Sequence, residues 1–168
     1  MSELAWIAEA RRHIGLREVK GVQHNSTIVG WLKRLKAWWA NDEVAWCGTF
    51  VAQALAASGR SVPKNWFRAL DYLNYGTRLE SPAYGCIVVF ERVGGGHVGF
   101  VVGRDQSGNL MVLGGNQADA VNIRPFAPSR VAGYRWPSYS TGVTSLPTAS
   151  RYNLPTINSN GQVSNNES

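Results

Sequence analysis

Apolar residues recur at helical spacing in the first half of the chain, whereas the second half carries short β-branched runs bounded by glycines. The helical spacing predicts four helices, over residues 3–14, 27–39, 46–58 and 65–74. The β-branched runs predict five strands, over residues 86–91, 97–103, 109–113, 120–124 and 131–136. Helices followed by consecutive strands predict an α+β domain with an antiparallel sheet over residues 1–136.

The last part of the chain has a different composition. Residues 137–168 are rich in Ser, Thr, Asn and Pro and contain few apolar residues. Such a segment buries too little apolar surface to offset the entropy lost on ordering. We therefore predict a poorly ordered tail from residue 137 onward.

The chain is basic, with 17 Lys and Arg against 11 Asp and Glu and a formal charge of +6. A basic surface suits a polyanion, such as nucleic acid, an anionic membrane surface or an anionic wall polymer. No apolar run reaches the roughly 18 residues of a membrane span, and residues 1–12 lack the apolar core of a signal peptide. We expect synthesis in the cytoplasm, and hence two free cysteine thiols.

Cys47 is the second residue of the predicted helix 46–58. The positive end of a helix dipole stabilises a thiolate and lowers its pKa. The free N–H groups of the same turn can also bind an oxyanion during acyl transfer. A lone cysteine is more often a small buried apolar residue, as we interpret Cys86 at the start of an apolar strand. Cys47 therefore needs partners before it is taken as a nucleophile.

Two polar residues lie at the open end of the predicted hairpin, opposite its turn: His97 begins strand 97–103, and Asn116 follows strand 109–113. If these strands pair about a centre between Gln106 and Ser107, His97 and Asn116 lie directly opposite each other, with Cβ atoms about 5 Å apart. A base and a third side chain that holds its second ring nitrogen are what a cysteine nucleophile requires. We therefore predict a Cys47–His97–Asn116 site. The same register pairs Val101 with Val112 and Phe100 with Leu113.

Other chemistry is not indicated. His13 and His24 have no neighbouring residue that would orient them. The chain has no CxxC pair, HExxH motif or DxDxDG loop, and its glycine-rich run at 94–96 does not lead into a helix. We expect no metal and no cofactor.

Three segments together resemble a known family: AWCGTFVAQAL, GCIVVFERVGGGHVGFVVG and VLGGNQADAVNI. They are similar to the CHAP branch of the NlpC/P60 cysteine peptidases, over about Glu3 to Trp136. The resemblance implies a papain-like α+β fold with the cysteine helix packed on the sheet. By matching position, it implies Cys47 as nucleophile, His97 as base and Asn116 as third member. Many relatives use an acid as third or fourth member, so Asp42, Glu43 and Asp119 are possible assisting acids.

The family also implies hydrolysis of an amide bond in peptidoglycan through a cysteine acyl-enzyme. Either a muramoyl-L-alanine amidase or a stem-peptide endopeptidase fits. We expect a monomeric phage endolysin, made in the host cytoplasm and acting on the wall after release, with no nucleic-acid partner. The alternatives are a secreted antibacterial amidase effector, a cysteine acyltransferase and an inactive wall-binding module.

Several residues near the cysteine are candidates for substrate binding: Trp38, Trp39, Trp46 and Gln117. Lys33, Arg34 and Lys36 precede the tryptophans and would face anionic groups of the envelope. The alternative is an amphipathic helix whose basic face is simply solvated.

Overall fold

The computed structural model describes residues 2–19, 25–39 and 45–164. Within these residues, three α-helices precede a six-stranded sheet, which confirms the predicted α+β class. The helices are α1 (Ala5–Arg11), α2 (Ser26–Arg34) and α3 (Cys47–Ala57). The strands are β1 (Thr77–Leu79), β2 (Ile87–Arg92), β3 (Gly95–Arg104), β4 (Leu110–Gln117), β5 (Ala120–Phe126) and β6 (Val131–Trp136). They are ordered β1-β6-β2-β3-β4-β5, and every neighbouring pair is antiparallel.

The helix ends follow local side-chain chemistry. The Asn25 side chain accepts hydrogen bonds from the N–H groups of Thr27 and Ile28 and so begins α2. This helix ends at Arg34 rather than at residue 39, because Lys36 adopts a positive φ of 62°. Helix α3 ends at Ala57, one residue before the predicted end, and Gly59 follows shortly after it at a φ of 75°. None of the described helices is long and apolar enough to cross a bilayer.

The structure differs from the prediction at two places between α3 and β2. The predicted helix over 65–74 is a shorter 3₁₀ helix, Ala69–Asn74. The three-residue strand β1, which pairs with β6, was not predicted because so short a run has no periodicity to read.

The predicted register between β3 and β4 is confirmed at its centre. Phe100 pairs with Leu113 and Val101 pairs with Val112. The ladder is irregular on both sides of these pairs. A shift lies between Val101 and Gly103 in β3, and a second lies between Gly114 and Gln117 where β4 pairs with β5. No β3–β4 pair joins His97 to Asn116, because the ladder stops at Phe100 and Leu113.

One face of the central strands packs against the helices. The rings of Phe50 in α3 and Phe100 in β3 lie 6.4 Å apart between centroids, and both side chains are fully buried. Trp6 of α1 packs edge-on against Trp136 of β6 and donates its indole N–H to the Gly85 carbonyl. This packing holds the beginning of α3 against the ends of β3 and β4, where the predicted site residues lie.

Residues 137–164, which we predicted to be a poorly ordered tail, make contacts with the domain in the structure. Their backbone pairs with β3, since the N–H of Ile157 donates to the Arg104 carbonyl and the N–H of Arg104 donates to the Pro155 carbonyl. The Ser159 hydroxyl donates to Asp105 at 2.6 Å. Leu154 and Ile157 pack against the core. Few apolar residues suffice here because backbone and side-chain hydrogen bonds to the domain supply the remaining contacts.

Candidate active site

Cys47 is the first residue of α3, with Trp46 at the N-cap position. Its side chain is buried, with 6% of its surface exposed. The backbone N–H of Val98 in β3 approaches the sulfur closely enough to stabilise the thiolate. The tertiary structure therefore brings the thiol to the peptide group that directly follows His97.

The next residue explains how closely α3 approaches its surroundings. A Cβ atom at Gly48 would lie 2.4 Å from the carbonyl oxygen of Trp66. Only glycine leaves room for this contact, so the beginning of α3 packs tightly against the Trp66–Phe67 backbone. This close packing contributes to the burial of the neighbouring thiol.

Burial reverses the expected effect of the helix end on the thiol. It raises the pKa of Cys47 above its usual value, because a thiolate loses hydration in the interior. The N–H groups of Val98 and Gly48 and the positive charge of Arg92 lower that pKa in part. The sequence prediction of a lowered pKa for Cys47 thus considered the helix dipole but not the burial of its first turn.

His97 is fully buried and lies in a stack of aromatic rings. Its imidazole is parallel to Phe126 within 7°, at a centroid distance of 5.4 Å, and within 21° of Phe90. The ring atom Nε2 lies 3.0 Å from Oε1 of Gln117. The stack sets the plane of the imidazole, and the Gln117 contact selects the ring orientation that places Nε2 rather than Cε1 at Oε1.

The amide of Gln117 determines which ring nitrogen carries the proton. Its Nε2 donates to the carbonyl oxygens of Val112 at 3.2 Å and Asn122 at 3.1 Å. Because carbonyls only accept, the amide nitrogen must face them and Oε1 must face the imidazole. His97 Nε2 is therefore the protonated donor, which leaves Nδ1 as the basic nitrogen.

The residues gathered here are a buried thiol, a buried imidazole of defined tautomer and the amide that orients it. Residues 39–116 match the family model of the CHAP domain. That segment contains Cys47 and His97 and confirms the resemblance seen in the motifs. A CHAP domain implies peptidoglycan hydrolase or amidase-type activity in general. A search of the curated proteins finds no match to the chain.

Asn116, the last residue of the CHAP match, does not make the expected contact with His97. Its side chain is buried and has no hydrogen bond to any described residue. The irregularity between Gly114 and Gln117 and the positive φ of 60° at Asn116 change the direction of successive side chains. The contact expected from Asn116 is made by Gln117, one position further along.

Two adjacent glycines of the CHAP match permit this arrangement. A Cβ at Gly114 would lie 2.2 Å from Gln117 Oε1, whereas one at Gly115 would lie 2.7 Å from the Phe50 Cβ and from the Trp46 ring. Gly114 thus makes room for the orienting amide, and Gly115 makes room for α3. The Gly-Gly pair was a visible signal, although the sequence did not reveal what each glycine accommodates.

The residues predicted to bind substrate have different surroundings. Trp46 is 1% exposed and donates its indole N–H to Glu18, and Gln117 is fully buried against His97, so both lie inside the domain. Trp38, in contrast, is 91% exposed. Trp39 stacks on Trp66, with ring centroids 5.8 Å apart.

The possible assisting acids are not placed against the thiol by any described contact. Asp42 and Glu43 lie outside the described residues, as does His24. The backbone carbonyl of Asp119 accepts a hydrogen bond from the N–H of Glu18. Over residues 2–19, 25–39 and 45–164, no group of three His, Cys, Asp or Glu side chains is arranged to hold a metal ion.

Proposed function

We propose that this chain hydrolyses an amide bond of peptidoglycan through a cysteine acyl-enzyme, with Cys47 as nucleophile and His97 as base. The observation that carries the proposal is the buried Cys47 thiol at the first residue of α3, together with the buried imidazole of His97 that Gln117 orients. The N–H of Val98, the residue after His97, lowers the pKa of Cys47 in part. The CHAP match supports the substrate class. Both the muramoyl-L-alanine bond and a stem-peptide bond suit this chemistry.

In the proposed reaction, the Cys47 sulfur attacks the amide carbonyl and the thiol proton passes to His97. No side chain of the described residues caps the first turn of α3, so its N–H groups are available for the oxyanion. The imidazolium then gives its proton to the leaving amine, and the thioester forms. Water hydrolyses the thioester, with His97 acting again as base.

The raised pKa of Cys47 defines the order of proton transfer. Because burial keeps the resting thiol protonated near neutral pH, His97 takes the proton as the sulfur attacks. The defined tautomer supports this role, since Nδ1 is the nitrogen left to accept a proton.

An aromatic cluster beside α3, in which Trp38 and Phe67 are exposed, forms the proposed substrate surface. Trp38 and Trp39 continue into Trp66 and Phe67, whose backbone contacts Gly48 next to the nucleophile. Aromatic faces with polar edges suit a polymer of sugars and short peptides. Lys33, Arg34 and Lys36 would add attraction to anionic envelope groups.

The proposed biological role is that of an endolysin. A basic hydrolase of this kind would be made in the host cytoplasm and would act as a monomer on the wall after release. The net charge of +6 supports binding to an anionic envelope.

The test is mass spectrometry of the soluble fragments released from purified peptidoglycan by the wild type, Cys47→Ala and Cys86→Ala. We expect fragments from the wild type and Cys86→Ala and none from Cys47→Ala, because Cys86 is a core residue. The new termini would identify the bond as muramoyl-alanine or stem peptide. Fragments from Cys47→Ala would exclude Cys47 as the nucleophile.

A further inference from the structure

Gln117 is a fully buried polar residue that lies between the imidazole of His97 and the strand β5. Just beyond the CHAP match, it has no assigned role in the reaction. We infer that Gln117, rather than Asn116, is the positioning residue of the site, and that it holds His97 in the tautomer with the proton on Nε2. This assignment rests on the proposed function, because the tautomer matters for catalysis only if Nδ1 serves Cys47.

Three oxygen acceptors around Nε2 determine the orientation of the Gln117 amide. Its Nε2 faces the carbonyl oxygens of Val112 and Asn122 and also the Asn122 side-chain oxygen, at 2.9 Å. Asn122 returns a bond from its Nδ2 to the Gln117 carbonyl at 2.9 Å. A flipped amide would place an oxygen against three oxygens, so Oε1 stays directed at His97.

The strand next to His97 leaves space for this amide. A Cβ at Gly114 would lie 2.2 Å from Gln117 Oε1 and 3.4 Å from His97 Nε2. The φ of Gly114 is not among the positive values of the chain, so alanine is excluded by space and not by backbone conformation. Gly114→Ala therefore displaces the amide while Gln117 itself is retained.

The aromatic stack makes the hydrogen bond decisive. Phe126 and Phe90 hold the imidazole plane, at interplanar angles of 7° and 21°. A half-turn about the Cβ–Cγ bond keeps this plane but would place Cε1 instead of Nε2 at the Gln117 oxygen. The Gln117 side-chain carbonyl selects the ring orientation in which Nε2–H points to it.

The experiment is ¹⁵N NMR of histidine-labelled protein in a Cys47→Ala background, where no thiol can transfer its proton to the ring. The chain has three histidines, so the His97 signals can be assigned with single variants. At alkaline pH, we expect one tautomer, with Nε2 protonated and Nδ1 unprotonated. Gln117→Ala and Gly114→Ala should each give a mixture of the two tautomers, because both remove the acceptor from Nε2.

Two further variants separate positioning from general damage. Gly30 lies on α2, and a Cβ added there would have the Arg34 side chain as its nearest neighbour, at 3.9 Å. Gly30→Ala should therefore leave the tautomer unchanged. Glycine adopts the positive φ found at position 116, so Asn116→Gly should also leave the tautomer unchanged. A single Nε2–H tautomer in Gln117→Ala, or its loss in Asn116→Gly, would overturn the assignment.

A second readout connects the tautomer to activity. With Cys47 present, Gln117→Ala and Gly114→Ala should lower kcat about 10- to 100-fold with little change in KM, within the range that a positioned base contributes. An unchanged kcat in an active enzyme would contradict the assignment. If the tautomer changes as expected but the wild type releases no peptidoglycan fragments, the proposed function fails while the role of Gln117 in holding His97 stands.

Discussion

The two ends of strand β3 are both irregular, yet they are used in opposite ways. At its beginning, the ladder with β4 stops before His97, and buried side chains converge there: Cys47 from α3, His97 from β3 and Gln117 from β4. At its other end, the register shifts after Val101, and Arg104 forms backbone hydrogen bonds with the tail. Side chains of the candidate site therefore meet at the first irregularity, whereas the strand forms backbone hydrogen bonds with the tail beyond the second.

The difference explains why the two ends respond differently to sequence. The site end depends on particular functional groups, and a single side chain alters its chemistry. The tail end depends on backbone hydrogen bonds and on space at Gly103, where a Cβ would lie 2.8 Å from Ile157 Cδ1 and from the Pro155 oxygen. Three predictions, from the largest effect to the smallest, test this contrast.

The first prediction compares the two cysteines, one at each end. Cys86 is fully buried, its carbonyl accepts from the N–H of Val101 near the tail end, and burial raises the pKa of its thiol to about 12. We expect iodoacetamide to modify native Cys47 at least about 10³-fold faster than Cys86, because Cys86 reacts only after an opening that costs several kcal/mol. Peptide mass spectrometry over time measures both rates.

The pH dependence of the Cys47 rate has a defined sign. A raised thiol pKa means that the thiolate forms only as the pH rises through and beyond its usual value of 9.0. The Cys47 rate should therefore increase steadily on the alkaline side. Rapid labelling of Cys47 at neutral pH would contradict a raised pKa, and equal labelling of Cys86 would contradict its burial.

The second prediction exchanges one glycine at each end. Gly115→Ala forces a Cβ against Phe50 and Trp46, so we expect about 1–3 kcal/mol loss of unfolding free energy and reduced peptidoglycan cleavage. Gly103→Ala should displace the tail but leave cleavage unchanged, because its clashes are with residues 155 and 157. Urea denaturation and the fragment assay measure both.

A control for the glycine exchanges is Gly30→Ala, which adds a methyl group in open space on α2. This variant should be unchanged in cleavage and should gain about 0.5–1 kcal/mol in stability from the helix propensity of alanine. Loss of cleavage in Gly103→Ala with retained cleavage in Gly115→Ala would invert the contrast between the two ends.

The third prediction concerns the ionisation of Asp105 beside the tail. The Ser159 hydroxyl is the largest cause that lowers the pKa of Asp105 from 3.8 to about 2, with further hydrogen bonds from Asn109. A lowered carboxyl pKa stabilises the docked tail above pH 4 and loses that effect as the pH falls through about 2. In Ser159→Ala, the Asp105 pKa should rise toward its usual value.

Carbon NMR of the Asp105 carboxyl group and hydrogen exchange at the Ile157 amide measure this effect. The amide should lose protection at a higher pH in Ser159→Ala than in the wild type. Ser140→Ala, an exposed position whose backbone N–H bonds to Gly59, is the matched control. If the pKa of Asp105 does not change in Ser159→Ala, the hydrogen bond from the tail is not the cause of the lowered pKa.

Much of the fold and of the site is local information and was accessible from the sequence. The apolar stripe of residues 46–58 predicts α3 within one residue at each end. Turn chemistry at 105–108 predicts the register of Phe100 with Leu113. Continued along regular strands, the same register predicts that His97 lies opposite the segment after Leu113.

The extrapolation ended where the strands stop being regular. The positive φ values at Asn116, Ala118 and Asp119 mark a backbone that period-two reasoning does not describe. A displacement of one position exchanges Asn116 for Gln117 at the imidazole. The selection depends on Asn122, on Gly114 and on the two phenylalanine rings, whose positions come from the assembled sheet.

The order of residues was enough to predict which segments form helices and strands, how β3 and β4 pair at their centre, and that Cys47 and His97 are candidates for one site. Three further properties follow from packing: the residue that orients His97, the direction of the Cys47 pKa shift, and the docking of residues 137–164. These depend on contacts between residues far apart in the chain, such as Ser159 with Asp105. Periodicity reports the conformation of neighbouring residues, whereas burial and hydrogen-bond partners are set only when distant segments pack together.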